Sequence, residues 1–502
     1  MDRRSILKSA LLGAGAVTGA ASAPAQAATE SGARSRRAPL AVQHEGAGSA
    51  PLLAALAKIA AYADAHRRGY GLPGLTLVCT APGGFTAYVR SGYAEVERQS
   101  PLRADHLFQI GSISKSFVAM AVHQLAAEGR LSLTDDIRKI LPGVALPPEP
   151  PISLVNLMEH SSGLPDGAPL FPRVGDNRLW SAFPPGTAWS YSNTAYDLLG
   201  KVVEHLDNRP LARSLEMRIL KPLGMTGARG EIIAAERTKY AAGYNPLNSE
   251  TESHPGGKLG PGPWVNVTFG AGCVAATSRD MALWIRYLAA AGAGKGAPLL
   301  TDEGAKRYAA PGIAAPGWAV VGAHYGAGLA HVPVEGRTLL HHTGGMVTFS
   351  SSIHVDPIAG VGCFASTNCG MQDYRPRELT AHACALLRAA VAPEAGLAPK
   401  PAPIRKADVP VKPPTPAGAV DPALAALAGR YESDDPWQGS ITLAALPSGL
   451  TIDGQVALDR HADGYWIPRA PVSTERFWFG GVLGGRPQVL SISGNEFVRR
   501  DL

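Results

Sequence analysis

Three short segments carry residue types that together could perform acyl transfer: Ser112-Ile113-Ser114-Lys115, Tyr191-Ser192-Asn193 and His342-Thr343-Gly344-Gly345. The first offers a hydroxyl nucleophile and, three positions on, an amine to take its proton. The second offers a phenol and an amide that both donates and accepts hydrogen bonds. The third ends in two glycines, which let a substrate lie along a strand edge and leave the Gly345 N–H as an oxyanion donor.

Ser-x-x-Lys alone is a weak signal, and Ser5-Ile6-Leu7-Lys8 fits it equally well. Context separates the two. An apolar approach, Leu107-Phe108-Gln109-Ile110-Gly111, precedes Ser112, and Phe117, Met120, Ala121, Gln124 and Leu125 follow at near-helical intervals until Gly129. This spacing predicts a buried helix with Ser112 in its first turn. Residues three apart share a helix face, so Lys115 projects toward the Ser112 hydroxyl. The unpaired N–H groups of that turn favour negative charge, and the Ser112 N–H is a natural half of an oxyanion hole. Apolar walls disfavour the charged form of Lys115 and make it a better base.

The elements that must position the other two segments are also legible. Pro184-Pro185-Gly186-Thr187 signals a turn before Tyr191, and Thr194 to Val203 has helical periodicity, so Tyr191-Ser192-Asn193 reads as a loop tip fixed by a helix, with Asn193 a candidate cap. Leu339 to Gly345 reads as a strand, and Phe349 to Val355 as the next. On a strand His341 and His342 diverge.

In this order the three segments resemble those of the serine β-lactamase and penicillin-binding-protein-like superfamily, in its class C β-lactamase and D-alanyl-D-alanine carboxypeptidase branch. Ile152-Ser153-Leu154-Val155-Asn156-Leu157-Met158-Glu159-His160-Ser161-Ser162-Gly163-Leu164-Pro165, Lys221-Pro222-Leu223-Gly224-Met225-Thr226 and Gly270-Ala271-Gly272 are similar to further family landmarks. The resemblance implies an acyl-enzyme on Ser112 and a base function shared by Lys115 and Tyr191. It also implies that Asn193 holds the substrate's acyl side-chain amide, and that His342, Thr343, Gly344 and Gly345 form the substrate-binding strand. Which of Lys115 and Tyr191 takes the proton stays open at this level. The third segment departs from the Lys-Thr-Gly usual in β-lactamases of this branch. Histidine is mostly neutral at pH 7 and attracts a substrate carboxylate less than lysine does. The implied activity is therefore cleavage of a D-amino-acid peptide or short acyl ester, with β-lactams a third candidate. The alternative is a catalytically inactive relative that binds cell-wall peptides or a protein partner.

No Gly-x-Ser-x-Gly elbow and no His-Glu-x-x-His pair occurs, so neither an α/β-hydrolase nor a zinc hydrolase is expected, and no metal or cofactor. The first residues carry Arg3-Arg4, a small apolar run from Ala10 to Ala21 and Ala25-Gln26-Ala27, which resembles a twin-arginine export signal cleaved after Ala27. A periplasmic or secreted protein is expected, without stable membrane insertion after cleavage. The 5 cysteines form no regular framework; Cys79, Cys273 and Cys363 sit in apolar strand-like runs and read as small core residues, and no feature of the sequence supports a Cys363–Cys369 bridge. The net charge of +6 comes without an aromatic-plus-basic stripe, so nucleic acid is not an expected partner, whereas a small molecule or peptide is. Oligomeric state is not encoded in any feature of the chain.

The 502 residues suffice for two or more domains. The expected organisation is the signal over 1–27, a disordered lead-in over 28–50, the hydrolase domain over 51–392, a Pro-rich linker over 393–422 and a small β domain, loosely similar to a lipocalin, over 423–502. Strands at both ends of the hydrolase domain flank a helical middle. The expected class is α+β: a β-lactamase/transpeptidase-like fold with one antiparallel sheet flanked by helices, an all-helical lobe, and the cleft between them.

Overall fold

A computed structural model describes residues 38–246, 259–318, 320–370, 375–393, 418–470 and 472–500. The export signal, residues 28–37 of the lead-in and residues 394–417 of the linker lie outside these.

A ten-stranded antiparallel sheet forms the frame. Its main strands are β1 (Leu40–Glu45), β2 (Gly74–Thr80), β3 (Thr86–Glu95), β4 (Ala330–Val334), β5 (Arg337–Gly345), β6 (Ser350–Asp356) and β7 (Val361–Thr367), in the spatial order β1-β3-β2-β7-β6-β5-β4. The two ends of the domain meet where β7 pairs with β2, Gly362 opposite Thr80 through Thr367 opposite Leu75. These central strands are buried on both faces, and their alternation divides two cores. Leu75, Leu77 and Cys79 with Val361, Cys363 and Ala365 point to one core, Val78 and Phe364 to the other. Helices α1 (Ala50–Gly69) and α5 (Arg377–Val391) cover the first face through Leu52, Leu56, Ile59, Leu379 and Leu387. Helix α4 (Ser278–Gly292) covers the second through Trp284, Ile285 and Leu288.

Helix α2 (Ser114–Ala127) follows a 3₁₀ turn at Gly111–Ile113 and has 12 of its 14 residues buried, as a helix enclosed on every side must. Gly129, in a left-handed conformation, lies just past its end. Helix α3 (Asn193–Asp207) packs on it through Leu198, Leu199, Val202 and Val203.

Two expectations need correction. Residues 38–50 are not a disordered lead-in: Leu40–Glu45 pairs with β3, and Ser49 caps α1 by accepting from Leu52 N. The linker's last residue, Pro422, opens a short helix, Pro422–Leu427, because Asp421 caps it and proline is tolerated in a first turn. Cys363 forms no bridge to Cys369. All 5 cysteines are free and buried, and the Cys363 sulfur sits 3.2 Å from that of Cys79 on the neighbouring strand.

The C-terminal region is a closed barrel of eight strands, from Gly429–Glu432 to Asn495–Arg499. Alternate residues such as Ile441, Leu443, Leu450, Ile452, Leu490 and Ile492 fill it.

Candidate active site

Ser112, Lys115, Tyr191, Asn193 and the Thr343–Gly345 strand converge where the N-terminus of α2, the start of α3 and the end of β5 meet. Two glycines permit the approach. Gly111 has φ +56°, and a Cβ there would lie 2.8 Å from both Gly345 N and Gly345 O, while one on Gly344 would meet Ile110 O at 1.9 Å. Ser351 on β6 locks this junction by donating to Ile110 O at 2.8 Å. Strand β4 pairs with β5 only as far as Ala330 opposite His341, so beyond that point β5 has an edge not taken by β4. An extended substrate could add there.

Lys115 is wholly buried. Its Nζ lies 3.0 Å from Ser112 Oγ, 2.6 Å from Asn193 Oδ1 and 2.8 Å from Ala271 O. A backbone carbonyl can only accept, and Asn193 presents its carbonyl oxygen to the amine. A neutral amine thus spends its two hydrogens on those partners and turns its lone pair to the Ser112 hydroxyl. Burial lowers the Lys115 pKa to about 7, against the opposing pull of Asp166 and Asp197. Asp197 is pushed the other way, to about 7, by the same burial, and its Oδ1 accepts from Ala271 N at 3.0 Å. The Lys115 amine also sits over the rings of Tyr191, at 4.9 Å, and Tyr196, at 5.5 Å.

Burial raises the Tyr191 pKa, with the Ser112 hydroxyl opposing, so the phenol keeps its proton. No hydrogen bond of ordinary geometry reaches that buried hydroxyl among the described residues. The ring is held from behind by His160, with centroids 4.2 Å apart. His160 Nδ1 accepts from Ser192 N at 3.1 Å and its carbonyl from Ser190 N at 2.9 Å, so one residue grips the chain on both sides of Tyr191.

Both nitrogens of His342 are engaged. Nδ1 lies 2.6 Å from Thr343 O, so it carries the proton, and Nε2 accepts from Tyr325 OH at 2.7 Å. Burial holds the pKa well below the ordinary histidine range, and the ring is neutral. His341 diverges as expected: Nδ1 donates to Ile353 O, and the ring stacks on His354 at 4.1 Å.

Sequence reasoning missed four groups. Asp197 was hidden in the periodicity of α3, and His160 and Asp166 lie in and just after the Glu159-His160-Ser161-Ser162-Gly163-Leu164-Pro165 segment, which carried a family signal but no assigned role. Arg375 had no signal. Its guanidinium lies over Gly345, where a Cβ would meet Nη2 at 2.1 Å, and its charge favours ionisation of Tyr191. Ser192, not Asn193, caps α3 by accepting from Ala195 N. That leaves the Asn193 amide to Lys115.

A family model described as Beta-lactamase matches residues 59–386, and the chain belongs to that family. It is 32% identical to penicillin-binding protein 4* of Bacillus subtilis (strain 168) over 35% of this chain and 43% of that protein. It is also 32% identical to the esterase EstB of Burkholderia gladioli over 38% and 54%, respectively. The matches span about half the length of these relatives. Among solved structures, the octameric penicillin-binding protein homologue from Pyrococcus abyssi superposes with TM-score 0.58 at 22% identity, covering 88% of this chain and all of that one. The β-lactamase/D-alanine carboxypeptidase from Pseudomonas syringae gives 0.54 at 21% identity, covering 66% and 98%. These structures share the fold.

Proposed function

We propose that the protein is an exported serine hydrolase that cleaves an amide or ester through an acyl-enzyme on Ser112. The observation that carries this is the buried Lys115 amine, 3.0 Å from Ser112 Oγ with its other two contacts on acceptors. Ser112 Oγ attacks the substrate carbonyl carbon while its proton passes to the Lys115 lone pair. The negative charge that develops on the carbonyl oxygen is met by the Ser112 and Gly345 N–H groups. As the C–N or C–O bond breaks, the leaving group takes a proton from the Tyr191 phenol, which Lys115 restores. A water then attacks the acyl-enzyme by the reverse proton path and releases the acid.

This division of labour follows from burial, which favours neutral Lys115 and neutral phenol alike. In this role Asn193 shares its amide between Lys115 and the substrate's acyl side chain. His342, neutral and doubly bonded, shapes the Tyr191 and Tyr325 cluster and brings no charge to a substrate. Arg375, whose Nη1 donates to Ser350 Oγ at 3.4 Å, brings a guanidinium beside Gly345, and its charge favours substrates with a carboxylate near the scissile bond, such as a D-amino-acid peptide, over neutral esters. Short acyl esters remain substrates for the same nucleophile. Export rests on the Arg3-Arg4 segment; no helix among the described residues is long and apolar enough to cross a membrane.

The test is labelling by a fluorescent phosphonate and by a fluorescent penicillin, followed by turnover of p-nitrophenyl esters, nitrocefin and a D-Ala-D-Ala peptide. Labelling of wild type and not of Ser112→Ala is expected. Equal labelling of both, or none, removes the acyl-enzyme and favours a binding protein.

A further inference from the structure

The barrel meets the hydrolase domain along a buried polar seam. Trp180 Nε1 donates to Thr474 O at 2.9 Å, and Asn495 Nδ2 to Gly167 O at 3.0 Å. Between them Glu475, itself buried, accepts from Asp166 N at 2.8 Å through Oε1, while Oε2 accepts from Ser493 Oγ at 2.8 Å and is thereby fixed. Asp166 is also buried, and its Oδ1 accepts from Asn193 N at 2.7 Å. Asn193 Oδ1 in turn accepts from Lys115 Nζ, which faces Ser112. The neighbouring Pro165 O accepts from the capping Ser192 Oγ at 2.9 Å, so one loop fixes both residues that open α3.

We propose that Glu475 of the barrel is a positioning residue for the catalytic lysine, holding Asp166 and through it the Asn193 amide that orients Lys115. The barrel is thus part of the active site's support and not a separable binding module. This rests on the acyl-enzyme function proposed above. The chemistry suits the role: a fixed carboxylate oxygen accepting from a backbone N–H sets where the next carboxylate lies, and a catalytic group displaced by about 1 Å loses on the order of 100-fold in rate. The charged and titratable groups facing Lys115 are Asp166, Asp197, Cys273, His160, His342, Tyr191 and Tyr196. Of these, Asp166 has a hydrogen bond from its own residue to the barrel. Its carboxylate favours charged Lys115, so releasing it lets the amine lose its proton at lower pH.

The experiment compares full-length Glu475→Ala, Glu475→Gln and Trp180→Phe. In Glu475→Ala, kcat for a p-nitrophenyl ester should fall about 10- to 100-fold with KM changing less, and the rising limb of the pH profile should move to lower pH. Glu475→Gln keeps an acceptor for Asp166 N and should restore most of the rate. Trp180→Phe removes a seam hydrogen bond off this path and should move neither rate nor limb. Wild-type turnover and limb in Glu475→Ala, or the same changes in Trp180→Phe, overturn the proposal. If wild type is neither labelled nor active, the acyl-enzyme function fails by itself. The positioning is then decided by hydrogen exchange of the Asn193 backbone N–H, which donates to Asp166, expected faster in Glu475→Ala and unchanged in Glu475→Gln; equal exchange in wild type and both variants overturns it.

Discussion

Replacing Asp197 by asparagine should shift the rising limb of acylation toward lower pH. Lys115 falls from 10.5 to about 7 on burial, so at pH 7 about half of it is neutral, against about one molecule in three thousand for a free amine. Burial thus supplies on the order of a thousandfold, about 4 kcal/mol, of available base. Asp197 works against this, because its carboxylate favours charged Lys115. The asparagine keeps the oxygen that accepts from Ala271 N, so the turn whose carbonyl holds Lys115 stays in place while the charge goes. The assay is kcat/KM for a p-nitrophenyl ester between about pH 5 and pH 9, which reports the free enzyme's base. Wild type should rise through an apparent value near 7 that belongs to the coupled Lys115 and Asp197 pair. The variant's limb should lie lower by about one pH unit. Lys115→Ala should lose about 10²- to 10⁴-fold and the limb with it. His160 and His342 do not confound this, since burial holds both well below the ordinary histidine range. A limb that survives in Lys115→Ala, or one that stays or rises in Asp197→Asn, refutes Lys115 as the base.

Arg375→Gln should lower kcat/KM for a D-Ala-D-Ala peptide at least about tenfold more than for a neutral ester, and equal losses would remove Arg375 from substrate recognition. Gly344→Ala places a Cβ 1.9 Å from Ile110 O, so the nucleophile turn must move; acylation should fall about 10²- to 10³-fold, with about 1–3 kcal/mol lost in urea unfolding. His342→Phe removes the imidazole's hydrogen bonds to Tyr325 OH and Thr343 O and should cost about 1–3 kcal/mol while leaving the limb near 7 in place, because the imidazole is not the proposed base.

What the sequence reveals and conceals here follows from the range of the interactions. Helix α2 and the proposed nucleophile in the turn before it were legible because a helix enclosed on every side must be largely small or apolar along its fourteen residues, and the barrel strands because inward and outward residues alternate. Strand β1 has no such pattern. Nearly all of Leu40–Glu45 is exposed, and it is a strand only because β3 offers an edge to pair with. Ser192 and Asn193 are both good caps, and local chemistry does not choose between them. Lys115, 78 positions away in the chain, does, by requiring the Asn193 oxygen. Glu475 lies further still, 309 positions from the backbone N–H it accepts. A carboxylate in a loop reads as a solvated charge until the fold brings a donor to it. The residues proposed for the chemistry stand out by their types and spacing, whereas those that hold them, Asp166, Asp197, His160 and Glu475, are of ordinary types in ordinary places. Their function lies in which donor each meets, and that is a property of the folded chain.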